Sequence, residues 1–517
     1  MRPVHEQPYS TLLLDRDPVR WTGSREHGLG WVEADARRPS PRLTDWSVAA
    51  GEGICGLVLS GRRRFLHSAV NGLAPLYWLE EGGVIYFSSR IDSLVRSSAS
   101  RLSVDWDAWA AIVTLRYPLA DRTPFAEIKR LPPSSTLRRR FGGAKVDERR
   151  WPWAEVEPGA GLATAAENVT AALEEALDPL PAQIVCPLSG GRDSRMLFLS
   201  LAREGRVAAA VTVADDEGDT HEEDLAGPVA AAFGVEHERL RGAEADYPRD
   251  WDERARRVEY EFVDHAWLVP VADRVAGIAT PVPDGFAIDA FLSVGRHFYT
   301  PEVLGKRGRA SNEELFETLR RYGLAHLALE ESFHGPLVER SREQFLAATK
   351  RFEGHPSQSF LSFYATRSAR GVSTYATKLI GERASVVTPG ATDAFVRAAL
   401  SAPASEKTDG ALYREVFRLL APRHADLPST AEAPRRKPHL PRRWCSAAAL
   451  SAHRRLLSDG PLATHLSPEL RGWLEGPSGV EPSAHLRLGM EAVSLLHAWW
   501  RRYRDFLKPV DPANLRG

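Results

Sequence analysis

Within six residues, Ser189-Gly190-Gly191-Arg192-Asp193-Ser194, the chain places two adjacent glycines, two hydroxyls and one carboxylate. The chemistry these types do together is anion binding. Adjacent glycines let a loop turn tightly with its N–H groups converging, and a helix that follows adds the positive end of its dipole. Ser189 and Ser194 can donate hydrogen bonds to phosphate oxygens. Asp193 would repel bare phosphate, so its natural task is to hold a Mg²⁺ ion that bridges the two. The loop is not a GxxxxGK[ST] phosphate loop. A plain strand-to-helix turn with a serine or aspartate cap would use the same residues. The surrounding pattern favours the anion site.

Such a loop needs a buried strand ending before it and a helix opening after it. Residues 183–188 are a short, mostly apolar run, and 195–203 have helical spacing. A helix is expected over Leu162–Leu177, a strand over 207–214 and a helix over 222–233, closed by Gly234. Strands alternating with helices of about ten residues imply right-handed βαβ units and a parallel sheet. Helical patterns dominate 310–505, interrupted by a proline- and arginine-rich connection around 427–441.

Upstream the texture differs. Short β-type segments at 9–14, 56–60, 64–68, 75–79 and 84–88 are broken by turns, and Glu80-Glu81-Gly82-Gly83 is a hairpin signal. Asp105 is a plausible N-cap for a helix over 106–115, and 135–140 is strand-like again. Trp151-Pro152-Trp153 and Pro158-Gly159-Ala160-Gly161 mark a junction. The expected organisation is a mainly antiparallel sheet domain over 1–155, then a parallel-sheet α/β domain with a helical C-terminal part over 156–517.

Composition narrows the function classes. Lysine plus arginine (67) balance aspartate plus glutamate (68), so bulk charge implies no nucleic-acid partner. Cys55, Cys186 and Cys445 lie far apart, which excludes a disulfide framework and a cysteine-rich zinc site. There is no apolar run of 18 residues and no signal-peptide core, so the expectation is a cytoplasmic protein without a membrane span. His221-Glu222-Glu223-Asp224 is not HExxH, so no zinc protease is indicated.

SGGRDS resembles the SGGxDS pyrophosphate loop of the ATP-pyrophosphatase superfamily, whose domains have the adenine nucleotide alpha hydrolase-like fold. Further segments are similar to its asparagine synthetase-like branch, which holds asparagine synthetase, β-lactam synthetase and the lasso peptide cyclases. These are the strand at 207–214 with Glu222-Glu223-Asp224-Leu225-Ala226 and Gly234-Val235-Glu236-His237, and Asp284-Gly285-Phe286-Ala287-Ile288-Asp289, which resembles the family's SGxGxD segment. Asn71-Gly72, Tyr86-Phe87-Ser88-Ser89, Asp105-Trp106 and Arg130-Leu131-Pro132-Pro133 resemble the family's glutaminase-like (Ntn-type) domain. The resemblance implies ATP and Mg²⁺ as cofactors, with Ser189, Gly190, Gly191, Arg192, Asp193, Ser194 and Gly285 around the diphosphate. Asp193 and Asp289 would hold the metal, and adenine would lie near Val211 and Val213 at the strand ends. Lys437 sits where the family carries a lysine that stabilises adenylation and amide formation. Its neighbours Arg435, Arg436, Arg442 and Arg443 equally fit a solvated basic loop, or a surface for an acidic peptide or carrier protein.

Departures from the family pattern shape the expected reaction. Arg2 stands where the glutaminase carries its nucleophilic cysteine, so glutamine hydrolysis is expected to be absent. Arg192 occupies a place usually apolar, and it or Arg195 either clamps a phosphate or faces solvent. Ala287 replaces a family glycine and Ala290 an acidic residue; the family's E-x-R-x-P-F-L-D segment survives only as 385–393. Tyr364, Tyr375 and Glu382 are candidates for the tyrosine–glutamate base that β-lactam synthetase uses, although a helical tyrosine is more often core. The implied function is an ATP-dependent, carboxylate-adenylating ligase that forms an amide, lactam or macrolactam and releases AMP and pyrophosphate without glutamine. Natural-product biosynthesis, such as lasso peptide cyclisation, is its most concrete version. The partner would be a small-molecule or peptide carboxylate, with a precursor peptide or leader-binding protein in the peptide case. Two alternatives stay open: intermolecular amidation of an amino or sugar acid, and a nucleotide-binding scaffold without turnover.

Overall fold

The computed structural model describes residues 12–14, 31–35, 55–60, 63–140, 143–148, 151–278, 280–292, 299, 301–321, 325–408, 410–424, 427–430, 433, 440–477 and 480–515. The architecture is α/β, with small, largely antiparallel sheets in the N-terminal part, parallel pairing later and substantial helix.

Among the described residues, nine strands build the N-terminal part. In chain order they are β1 (Leu12–Leu14), β2 (Trp31–Asp35), β3 (Cys55–Ser60), β4 (Arg63–His67), β5 (Tyr77–Glu81), β6 (Val84–Ser88), β7 (Lys129–Arg130), β8 (Ser135–Arg140) and β9 (Gly143–Glu148). One sheet runs β1-β6-β5-β7 and is antiparallel. The other runs β2-β3-β4-β8-β9, antiparallel except between β2 and β3. The β5–β6 hairpin closes on Gly82 and Gly83, at φ +58° and +76°. Two consecutive positive φ values are what a two-residue hairpin turn of matching twist requires, and glycine adopts them without steric cost. Alternation then splits the side chains. Ile85 and Phe87 join Leu66, Leu76, Leu131 and Leu137 in a small core, while Tyr77 and Leu79 face a larger one holding Trp109 and Trp499.

The helix Trp106–Leu115 starts where Asp105 accepts a hydrogen bond from the Ala108 N–H at 2.9 Å. Arg122 donates to the same carboxylate at 2.9 Å. In Leu162–Leu177 the buried Ala165, Ala166, Val169, Ala172, Leu173 and Leu177 recur at helical spacing and form the apolar stripe. β10 (Ile184–Pro187), β11 (Val207–Val213) and β12 (Glu236–Leu240) form a parallel sheet in that order. A second parallel pair, β13 (Val282–Pro283) with β14 (Val386–Val387), delivers Asp284 to the end of a strand.

The two halves share polar contacts. Trp153 Nε1 donates to Asp393 at 2.8 Å and the Tyr364 hydroxyl to the Asn71 carbonyl at 2.9 Å. Lys378, buried in a wide-wound helical turn, donates to Glu259, Glu261 and the Tyr77 hydroxyl at 2.7–2.8 Å. Arg370 pairs with Glu261 at 3.2 Å and reaches across to the Arg122 carbonyl at 2.6 Å. No helix among the described residues is long and apolar enough to cross a membrane.

Candidate functional site

The loop lies between β10 and the helix Asp193–Ala202. The helix opens at Asp193, two residues before the expected start, so Asp193 and Ser194 sit in its first turn beside the N–H groups that lack intrahelical partners. The Ser189 N–H donates to Ser194 Oγ at 2.9 Å, and the two hydroxyls are 2.9 Å apart. The Gly191 N–H donates to Ser189 Oγ at 3.1 Å and to Glu222 Oε2 at 3.0 Å. Both glycines lie in tight surroundings. A Cβ on Gly190 would fall 2.8 Å from Leu225 Cβ, on the helix His221–Ala232, and one on Gly191 3.0 Å from Ser189 Oγ.

The second acidic segment packs directly on this turn. A Cβ on Gly285 would fall 2.9 Å from Asp193 Cβ and 3.0 Å from Ser194 N. Burial, then repulsion from Asp289, with Asp284 adding to it, holds the Asp193 carboxyl well above the usual carboxylate range. The Tyr413 hydroxyl opposes that rise by donating a hydrogen bond to Asp193. Asp284 and Asp289 are also raised, chiefly by desolvation. Asp289 itself is exposed to solvent. Ala287 adopts φ +69°, a left-handed conformation, at the position where the resembled family has glycine.

Among the described residues no group of three or more His, Cys, Asp or Glu forms a metal cage. The chemistry of the donors still suits a hard cation. Asp193 and Asp289 interact electrostatically and are carboxylates, and Mg²⁺ typically takes one or two carboxylates and completes its shell with water and phosphate oxygens.

Other expected residues fall in varied places. Arg195 is 2% exposed and donates to the carbonyls of Leu427 at 2.7 Å and Pro428 at 2.9 Å. It is a brace, neither facing solvent nor free to clamp a phosphate. Arg192 lies over the Tyr413 ring, 5.3 Å from its centroid. Val211 is a core side chain at 2% exposure, so a ligand could meet that position only through its backbone; Val213, at 6%, ends β11.

Tyr364 and Glu382 do not form the pair expected of them. The Tyr364 hydroxyl is fully buried and donates to the Asn71 carbonyl at 2.9 Å, and burial pushes the phenol up. Its ring packs on Trp153 and Phe291 as core. Glu382 faces Arg90 at 3.7 Å and Arg257 at 3.8 Å. Tyr375 stacks edge-on to His265, with centroids 4.7 Å apart. Lys437 and Arg2 lie outside the described residues. The residues flanking 431–439 are tied to the loop region: the Thr430 N–H donates to the Gly190 carbonyl at 3.0 Å and the Leu440 N–H to the Gly218 carbonyl at 3.3 Å.

Sequence reasoning missed Tyr413 and the loop contact of Glu222. Tyr413 is 220 residues from Asp193 and carries no local signal, whereas Glu222 stands in the acidic first turn of its helix, where a reach to a neighbouring loop was open to inference. Arg443, expected in a solvated basic loop, is instead buried and pairs with Asp216, beyond the end of β11, at 2.9 Å and with Asp250.

No curated protein matches the chain. Residues 58–151 match the glutamine amidotransferase domain family, consistent with the N-terminal domain of asparagine synthetase-like proteins.

Proposed function

We propose that the chain is an ATP-dependent ligase that adenylates a carboxylate, releases pyrophosphate and passes the acyl group to an amine, giving an amide and AMP without glutamine. The observation that supports this reading is the seating of Asp289's segment on the SGGRDS turn, with Gly285 packed on Asp193 and Ser194 and the Asp289 carboxylate near enough to repel that of Asp193. Ser189, Ser194 and the loop N–H groups would bind and orient the diphosphate end of ATP, and Asp193 and Asp289 would hold Mg²⁺. A metal held there would supply charge neutralisation to the leaving diphosphate. Tyr413 keeps Asp193 closer to its ionised form, the form that binds a cation. Positioning and electrostatics carry such a reaction.

Two of the three thiols, Cys186 and Cys445, are poorly suited to glutamine hydrolysis. Burial pushes Cys186 up to about 12 and Cys445 up to about 11, so neither is an activated nucleophile. The finer version is closure of a lactam or macrolactam on a peptide substrate in natural-product biosynthesis; an amino or sugar acid joined to a separate amine is the other version. The test is carboxylate-dependent exchange of labelled pyrophosphate into ATP, wild type against Asp193→Asn. Exchange lost in the variant is the expected result. ADP and phosphate as products, or tight ATP binding with no turnover on any carboxylate, would overturn it, the latter in favour of a scaffold. The match over 58–151 favours a second reading, a glutamine-dependent amidotransferase. Glutamate release from glutamine, stimulated by ATP and acceptor, would establish that one instead.

A further inference from the structure

The Gly191 amide, one of the N–H groups that makes the loop an anion site, is already engaged by Glu222 Oε2 at 3.0 Å. The contact follows from packing. The close fit of Leu225 against Gly190 fixes the helix His221–Ala232 beside the loop and brings its first turn within reach of the amide. The next residue shows what a committed carboxylate looks like here: Glu223 is fully buried and paired with Arg241 at 2.7 Å. Glu222 is only half-buried and has no cationic partner among the described residues. It also adds a fourth carboxylate to a region that already holds Asp193, Asp284 and Asp289.

We infer that Glu222 is an internal occupant of the loop, filling the place of an anionic oxygen until the diphosphate of a magnesium-bound nucleotide displaces it. The inference rests on the pyrophosphate-loop reading and adds a competition within it. The half-buried side chain can swing away while the helix stays packed. Its departure removes negative charge as the diphosphate adds it, so the charge facing the loop changes less than the ligand's own charge. A carboxylate that accepts a loop N–H competes directly with an incoming phosphate oxygen for the same donor.

The probe is inorganic pyrophosphate with Mg²⁺, titrated calorimetrically into the full chain, wild type against Glu222→Gln and Glu222→Ala, with thermal unfolding as the control for folding. Glu222→Gln keeps the size and an acceptor oxygen but removes the charge, so it remains informative if the alanine variant folds poorly. Binding about tenfold tighter in the variants is expected, the scale of one charge-assisted hydrogen bond no longer contested. If wild type binds and the variants bind equally or more weakly, Glu222 is a brace or a ligand partner and the inference fails alone. If neither wild type nor any variant binds pyrophosphate, the pyrophosphate-loop reading fails and takes the inference with it.

Discussion

Replacing Gly285 by alanine perturbs the joint between the two acidic segments by a single methyl group. The added carbon would lie 2.9 Å from Asp193 Cβ, 3.0 Å from the Asp193 carbonyl carbon and 3.0 Å from Ser194 N. These atoms belong to the first turn of a helix and cannot rotate away. Since ordinary contact begins near 3.4 Å, the segment 284–289 and the helix must separate by about half an ångström. Overpacking of this kind costs about 1–3 kcal/mol of stability. The functional effect should be at least as clear, because the separation falls between Asp193 and Asp289. A misplacement of about 1 Å can cost about a hundredfold in rate, so half of that predicts a loss of about tenfold. The assay is pyrophosphate exchange with an accepted carboxylate, read beside the thermal midpoint. Gly159→Ala serves as the control, since nothing lies within 4 Å of the added carbon there. Unchanged exchange in Gly285→Ala would refute the claim that these two segments form one site.

Three further outcomes follow from buried charges. Lys407 is fully buried, donates to the Ala399 carbonyl at 3.1 Å, and is pushed down to about 7 by desolvation. The unfolded chain therefore binds one more proton than the fold between about pH 7 and 10.5, and stability should rise with pH across that window. Urea midpoints at pH 7.5 and 9.5 should show Lys407→Met losing about 2 kcal/mol of that rise; the Phe360 ring, 4.4 Å from Nζ, favours the charged form and keeps the effect below the full linkage value. Lys378→Met takes the shared cation from Glu259 and Glu261, leaving Arg90 at 3.3 Å and Arg370 at 3.2 Å as their remaining partners, and should cost about 3 kcal/mol in denaturant unfolding, the low end for breaking a buried pair. Glu261 is held down to about 2 against its desolvation, mainly by Lys378, so its contribution is present above about pH 4.5 and lost as pH falls toward 2. The variant should therefore unfold in acid at a higher pH than wild type. Tyr413→Phe removes the donor that opposes the rise in Asp193, so the acid limb of metal-dependent exchange should move to higher pH; an unmoved limb would exclude Asp193 as the titrating group.

Local signals reached furthest where one residue dictates backbone geometry. The glycine pair at 82–83 and the Asp105 cap placed the β5–β6 hairpin and the helix Trp106–Leu115, and the apolar stripe placed Leu162–Leu177 with the same bounds. β12 escaped because Glu236–Leu240 is largely charged, as an edge strand of a three-stranded sheet can be without burying those groups. β13 and β14 are two residues each, too short for any alternation to register. The wide-wound turns over Tyr364–Val372 and Tyr375–Ile380 share the composition of an ordinary helix. At the site, SGGRDS declared itself, but the neighbours that tune it did not. Tyr413, Glu222 and the bracing role of Arg195 are products of tertiary packing over 31 to 232 positions of separation.

The cluster of Lys378, Glu259, Glu261 and Tyr77 bears on how this chain can be cut. Tyr77 comes from the amino-terminal sheet and the other three from the larger half, so cleavage near position 155 would leave three ionised side chains at a newly wetted face that was shaped to be dry. Neither fragment would then be expected to express as an independent product, and a lineage that lost the use of the first half could not easily delete it.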